Sequence, residues 1–182
     1  MTTASKITVL RVLLIPVFMA SMLLDFPHSN LIALAIFILA FLTDGLDGYI
    51  ARKYNQISDF GKFMDPLADK LLVAAAMLIF VQWGRLPAWA LMVVLTREFA
   101  VSGLRMMAAV QGSVIAAEVS GKVKTVVTIV GLSCMMTGLH DWRIIGGITV
   151  DHAAVALILI TTVASGIECF AKNYRVLTAT RK

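Results

Sequence analysis

The chain has 182 residues, of which 59% are hydrophobic and 15% are charged, and its mean hydropathy is +0.88. This composition is too apolar for a water-soluble domain and too regular for a disordered segment, so it predicts one integral membrane domain over residues 1–182. The formal net charge is +5, and we expect no nucleic-acid partner.

Six apolar runs follow one another along the chain, and each is long enough to cross a bilayer as a helix. Short polar connections separate them, such as residues 53–61 and the turn at residues 82–87. The first run is too long for the apolar part of a signal peptide, so we expect it to be retained. The sequence therefore predicts an all-α bundle of six transmembrane helices, at residues 7–24, 31–52, 62–81, 88–110, 121–139 and 150–170.

Lysine and arginine are distributed unevenly among the predicted connections. If the amino terminus is inside the cell, most basic residues lie at or toward the cytoplasm, and Arg85 and Arg143 lie outside. Because cytoplasmic loops of membrane proteins carry an excess of lysine and arginine, this asymmetry predicts a multi-pass protein of the cell membrane with both termini in the cytoplasm.

Four aspartates interrupt the second and third predicted spans: Asp44, Asp47, Asp65 and Asp69. They are spaced by three and by four residues, so on helices each pair would project from one face. If the chain turns between the two pairs, antiparallel helices could bring all four together at the cytoplasmic end. Ionisable residues inside a membrane are functional candidates. A cluster of carboxylates requires protons or cations, and its hard oxygen ligands suit Mg²⁺ or Mn²⁺ better than zinc.

Small and basic residues accompany these aspartates. Gly48 follows Asp47 directly and Gly61 precedes the second pair, so bare backbone is available where a ligand could approach closely. Arg52 follows Gly48 by one helical turn, where its guanidinium could bind a phosphate. Taken singly, each also has a structural explanation, because glycines pack membrane helices and arginines mark cytoplasmic helix ends.

A second polar group lies in the fourth and fifth predicted spans and consists of Arg97, Glu98, Arg105, Lys122 and Lys124. Arg97 is deeper in its apolar run than topology requires, so we expect it to pair with Glu98 or another acid, or to face a wet cavity. The two lysines are explained equally well as anchors at the membrane interface. Together, the basic residues could form an anion site that suits a phosphorylated acceptor.

The pattern D-x2-D-G-x2-A-R-x8-G-x3-D-x3-D is present without a gap over residues 44–69, and it resembles the signature of the CDP-alcohol phosphotransferase family. This resemblance implies a six-helix membrane enzyme, typically a dimer, that transfers a phosphatidyl or similar group from a CDP-linked donor to an alcohol and releases CMP. It further implies that the four aspartates hold two divalent cations and that Asp69 is also the general base. By the same resemblance, CDP-diacylglycerol would contact Asp44, Gly48, Arg52, Gly61, Asp65 and Thr8.

Two further segments, residues 96–105 and 121–125, resemble the branch of this family whose acceptor is sn-glycerol 3-phosphate. The resemblance implies that the acceptor phosphate binds to Arg97, Arg105, Lys122 and Lys124. The amino terminus departs from the branch pattern, because Pro-Asn is absent ahead of Thr8 and Arg11.

The expected reaction is transfer of the phosphatidyl group of CDP-diacylglycerol to sn-glycerol 3-phosphate. Within the family, the alternatives are a cardiolipin synthase, an inositol phosphate transferase and a serine transferase, which share the aspartate motif. A divalent-cation channel or transporter is an alternative of a different class. Such a protein is expected to carry acids near the bilayer middle on several spans, often in repeated halves, whereas these aspartates crowd one end of two adjacent spans.

Overall fold

A computed structural model describes the backbone of residues 3–178, apart from residues 25, 54–58, 114, 117, 138–141 and 146–147. Within helices and strands, side chains are not described at residues 3–9, 44–53, 59–69, 143–145, 148 and 175–178.

Six helices occupy the described part of the chain, which confirms the predicted helix number. They are α1 (Thr3–Leu23), α2 (Ser29–Lys53), α3 (Asp59–Gln82), α4 (Ala88–Val110), α5 (Val119–Met136) and α6 (Val150–Thr178). Each predicted span overlaps one of these helices. Two short antiparallel strands, β1 (Arg143–Ile145) and β2 (Ile148–Thr149), lie between α5 and α6, where the sequence analysis predicted only a loop.

Residue contacts divide the chain into two compact units, Met1–Trp83 and Gly84–Lys182. In the first unit, α1 packs against α2 and α3. Phe18 and Phe37 are fully buried there, and their ring centroids are 5.8 Å apart. Met22 follows Phe18 by four residues on α1, Ala33 precedes Phe37 by four residues on α2, and both are also buried. Because a short connection joins the two helices, they run antiparallel.

In the second unit, α6 packs against both α4 and α5. Most of the buried residues of α4 are spaced by three, four or seven positions, as expected for one core-facing side of a helix. They are Ala90, Leu91, Val94, Val101, Leu104 and Ala108. At Gly131 of α5, a Cβ atom would lie only 3.0 Å from Ile158 Cδ1 of α6. Glycine therefore permits close approach of these two helices.

Arg85, which lies in the turn before α4, contacts two helices of the second unit. Arg85 Nε donates to Asp151 Oδ2 at 2.6 Å, and Arg85 Nη2 donates to Asp151 Oδ1 at 3.0 Å and to the Met135 carbonyl oxygen at 2.6 Å. The sequence analysis treated Arg85 as an external loop cation. In the structure its guanidinium instead connects the residues before α4 to the end of α5 and the start of α6.

Among the described residues, two segments are long and apolar enough to cross a membrane, Val119–Met136 and Val150–Tyr174. Shorter apolar helical segments lie at Leu10–Leu23, Ser29–Thr43 and Lys70–Gln82. Exposed large apolar side chains occur on all six helices, as a lipid-facing surface requires. These features indicate a helical membrane protein, and the crossing of the membrane by all six helices stays a prediction.

Candidate active site

The aspartate motif lies on α2 and α3. The backbone is helical at Asp44, Asp47, Asp65 and Asp69, as their spacing predicts, and also at the donor-binding candidates Thr8, Gly48, Arg52 and Gly61. The side chains of all these residues lie outside the described part, so the clustering of the four carboxylates stays a prediction. Among the side chains that are described, no group of three or more His, Cys, Asp or Glu could hold a metal ion.

Arg11 is a buried cation in the unit that carries the aspartate motif. Only 2% of its surface is exposed, although α1 is otherwise strongly apolar. A buried charge inside an apolar helix bundle is costly, which makes such a residue a candidate for function. From the sequence, Arg11 is noted only as part of the amino-terminal branch pattern and is not among the predicted site residues. Its position within an apolar run was the signal that could have identified it.

Three charged side chains of α4 and α5 meet in the second unit, and we call them the Arg97–Glu98–Lys124 triad. One carboxylate oxygen, Glu98 Oε1, accepts from Arg97 Nη1 at 2.8 Å and from Lys124 Nζ at 2.6 Å. The exposed fractions of the side chains are 14%, 17% and 7% for Arg97, Glu98 and Lys124. The predicted pairing of Arg97 with Glu98 is confirmed, and Lys124 proves to share the same oxygen.

Helix α6 holds the other side of the Arg97 guanidinium. Arg97 Nη2 donates to Ser165 Oγ at 3.0 Å, and the Ser165 hydroxyl donates to the Thr162 carbonyl oxygen at 3.1 Å. A Cβ atom on Gly166 would lie 3.1 Å from Arg97 Cγ, so the arginine stem packs directly on the α6 backbone. Helix α6 thus fixes the orientation of Arg97 together with Glu98, its neighbour on α4.

A groove in the second unit leads to the same arginine. It has a volume of about 370 Å³ and runs between α4 and α6. Its lining is mostly apolar and consists of Met92, Val93, Thr96, Arg97, Val163, Gly166 and Phe170. Arg97 therefore combines a charged head, held by hydrogen bonds, with a stem that borders apolar space.

Arg105 and Lys122, the other two predicted acceptor-binding residues, are exposed. Among the described residues, neither forms an ion pair with the triad. Arg105 follows Glu98 by seven residues, which places both on one face of α4, two turns apart. Lys122 precedes Lys124 by two residues, and residues at that spacing do not share a helix face. The structure thus brings together Arg97 and Lys124, and the roles of Arg105 and Lys122 in acceptor binding stay predictions.

The sequence profile of a family described as CDP-alcohol phosphatidyltransferase matches residues 1–167. The chain therefore belongs to the CDP-alcohol phosphatidyltransferase family, which confirms the resemblance seen in the aspartate motif. Because members of this family are enzymes, the match also favours an enzyme over a cation channel or transporter. The family as a whole depends on divalent cations.

Named relatives place the chain within this family. It is 42% identical to the CDP-diacylglycerol--glycerol-3-phosphate 3-phosphatidyltransferase of Bacillus subtilis, and the alignment covers 95% of each chain. It is 35% identical to a probable phosphatidylglycerophosphate synthase of Mycobacterium tuberculosis, over 94% of this chain and 81% of that protein. It is 37% identical to the corresponding Salmonella typhimurium transferase, over 86% of this chain and 85% of that one.

Proposed function

We propose that this enzyme transfers the phosphatidyl group of CDP-diacylglycerol to sn-glycerol 3-phosphate, giving phosphatidylglycerophosphate and CMP for phospholipid biosynthesis. The observation that supports this most is the 42% identity to the Bacillus subtilis enzyme, which extends over 95% of both chains. The Arg97–Glu98–Lys124 triad supports the same acceptor, because it contains two cations and one carboxylate in a largely buried position.

On the donor side, Asp44, Asp47, Asp65 and Asp69 would hold two divalent cations, Mg²⁺ or Mn²⁺. Four carboxylates fit this role because both cations prefer oxygen ligands. When bound, the cations would mask the charge of the donor pyrophosphate and stabilise departing CMP.

The remaining residues of the motif would position the donor and move the proton. Gly48 and Gly61 would let the nucleotide approach the helix backbone, and Arg52 would bind a phosphate oxygen. Thr8 of α1 would contribute a hydroxyl contact to the donor. Asp69 would accept the proton of the attacking acceptor hydroxyl as general base.

On the acceptor side, Arg97 and Lys124 would bind the phosphate of sn-glycerol 3-phosphate, with Arg105 and Lys122 as outer contacts. Guanidinium and ammonium groups both donate charge-assisted hydrogen bonds to phosphate oxygens. The lysine and arginine distribution predicts that this group and the aspartates both belong to the cytoplasmic side, where soluble glycerol phosphate is available. We further propose a homodimer in the cytoplasmic membrane.

Acceptor dependence tests the proposal directly. The purified enzyme is incubated with CDP-diacylglycerol, Mg²⁺ and one acceptor at a time, and CMP release is measured. We expect release with sn-glycerol 3-phosphate and little with L-serine, inositol 1-phosphate or phosphatidylglycerol. Preferred use of one of the other three acceptors would assign the chain to that branch of the family instead. An Asp69→Asn preparation gives the background of the assay.

A further inference from the structure

Glu98 is the centre of the triad. Its Oε1 atom is the acceptor for both Arg97 Nη1 at 2.8 Å and Lys124 Nζ at 2.6 Å. A single oxygen therefore brings cations from two different helices within hydrogen-bond distance of the same point.

The charge of the triad is not balanced. A structural ion pair inside a membrane protein needs one cation for each carboxylate, and a second buried cation adds a desolvation cost. The triad has two cations and one carboxylate, and no other acid within ion-pair distance of it is found among the described residues. The excess positive charge suits a ligand that supplies the missing anion.

Both cations also keep donors available. The lysine ammonium has three N–H donors and the arginine guanidinium has five. Within the described residues, Lys124 uses one on Glu98, and Arg97 uses one on Glu98 and one on Ser165. Arg97 Nε is buried and has no hydrogen-bond acceptor among those residues. The two side chains are thus oriented by protein contacts without being saturated by them.

We propose that Glu98 is a positioning residue for the acceptor: it holds Arg97 and Lys124 side by side as a preformed receptor for the phosphate of sn-glycerol 3-phosphate. This inference rests on the proposed function, which supplies the phosphorylated acceptor. Without the carboxylate, the two cations repel each other and separate. The free energy of acceptor binding is then reduced by the cost of bringing them together. Glu98 itself does not contact the phosphate, because like charges repel.

Steady-state kinetics of Glu98→Gln test the role. The amide keeps the side-chain size but loses the charge that binds two cations. Because hydrogen bonds to charged groups are strong, we expect the KM for sn-glycerol 3-phosphate to rise about tenfold or more. The KM for CDP-diacylglycerol and the Mg²⁺ concentration needed for half-maximal rate should remain within about twofold, since the donor site is made by other residues.

Glu168→Gln is the matched control. Glu168 forms an ion pair with Lys172 on α6, in which no predicted acceptor residue takes part. The same chemical change at this more exposed pair should leave both KM values unchanged. Glu98→Asp keeps the charge on a shorter side chain and should give an acceptor KM between those of the wild type and Glu98→Gln. If Glu98→Gln does not fold, Glu98→Asp is the variant used for the test.

A binding measurement separates positioning from folding. Adding sn-glycerol 3-phosphate should raise the Tm of the detergent-solubilised wild-type enzyme, because a ligand that binds the folded state stabilises it. The Glu98 variants should show a reduced rise at the same concentration. If a folded Glu98 variant has a lower Tm but the wild-type KM for the acceptor and the wild-type ligand-induced rise, Glu98 is only structural and the inference is wrong. If the wild-type enzyme itself does not use sn-glycerol 3-phosphate, the proposed function fails instead.

Discussion

Lys122 and Lys124 lie two residues apart on α5, and the helix turns them to different surroundings. Lys124 is buried and paired with Glu98, whereas Lys122 is exposed. From the sequence, both had the same two interpretations, an interfacial anchor or an acceptor contact. Tertiary packing sets the rotation of α5 about its axis, and this rotation places Lys124 beside Glu98 and leaves Lys122 exposed.

This difference gives a paired prediction. Lys124→Ala removes one of the two cations of the triad, so we expect the KM for sn-glycerol 3-phosphate to rise by about tenfold to a hundredfold, the equivalent of one charge-assisted hydrogen bond. Lys122→Ala should change it by less than about fivefold, as for an exposed charge. Steady-state CMP release at varied acceptor concentration measures both. A rise of less than about fivefold for Lys124→Ala, as for an exposed charge, would remove Lys124 from the acceptor site.

The general base is tested at Asp69. Asp69→Asn keeps an oxygen ligand for a cation but cannot accept a proton, so we expect kcat to fall by about a hundredfold to ten-thousandfold. Mg²⁺ affinity, measured by calorimetry on the same preparation, should change much less. Substantial turnover with unchanged Mg²⁺ binding would assign the proton transfer to another group. Asp59→Asn, at the first residue of α3 and at one of the unspecified positions of the motif, is the control.

At the scale of elements, the Arg85–Asp151 ion pair connects the residues before α4 to the ends of α5 and α6. Its side chains are only 19% and 10% exposed. Removing one partner of a buried pair leaves the other charge without compensation, and this typically costs about 3–5 kcal/mol.

We therefore expect Asp151→Ala to lower the Tm of the detergent-solubilised enzyme by several degrees. Glu168→Ala, which breaks a more exposed ion pair, should cost only about 0–1 kcal/mol and serves as the control. The acceptor KM of the folded Asp151→Ala enzyme should remain that of the wild type, because the proposed acceptor residues Arg97 and Lys124 take no part in this ion pair. A Tm equal to that of the wild type would show that this ion pair contributes little to stability.

The helices were predictable as elements because long apolar runs and polar turns mark them well. Their ends were less predictable, since a helix does not stop where hydrophobicity stops. Helix α3 begins at Asp59 and α6 continues to Thr178, in both cases through polar residues that lie outside the predicted apolar runs. The two strands were missed because they contain three and two residues, too few for a periodic pattern.

The candidate site was predictable where the residues that form it are close together in the sequence. The aspartate spacing and the adjacent Arg97 and Glu98 could be found in the sequence directly. The sharing of Glu98 by Lys124, and the contact of Arg97 with Ser165, join residues that are 26 and 68 positions apart. Such partners depend on how three helices pack, and no local pattern encodes them.

At the scale of the whole molecule, the lysine and arginine distribution predicts the orientation in the membrane. An alkaline phosphatase fused after residue 85 should be active, because this connection is predicted to face the outside. The same reporter fused after residue 182 should be inactive, and a green fluorescent protein fused there should fluoresce. The opposite pattern would place the aspartate motif outside, away from cytoplasmic glycerol phosphate.

Three charged residues, Arg97, Glu98 and Arg105, interrupt helix α4. During synthesis it leaves the ribosome before α5 and α6, which supply Lys124 and Ser165. If α4 crosses the membrane as the sequence predicts, the opposite charges of its neighbours Arg97 and Glu98 would already cancel when it enters the translocon, which would reduce the cost of insertion. The carboxylate that binds Lys124 in the folded protein would thus first help a helix with a central arginine to enter the lipid bilayer.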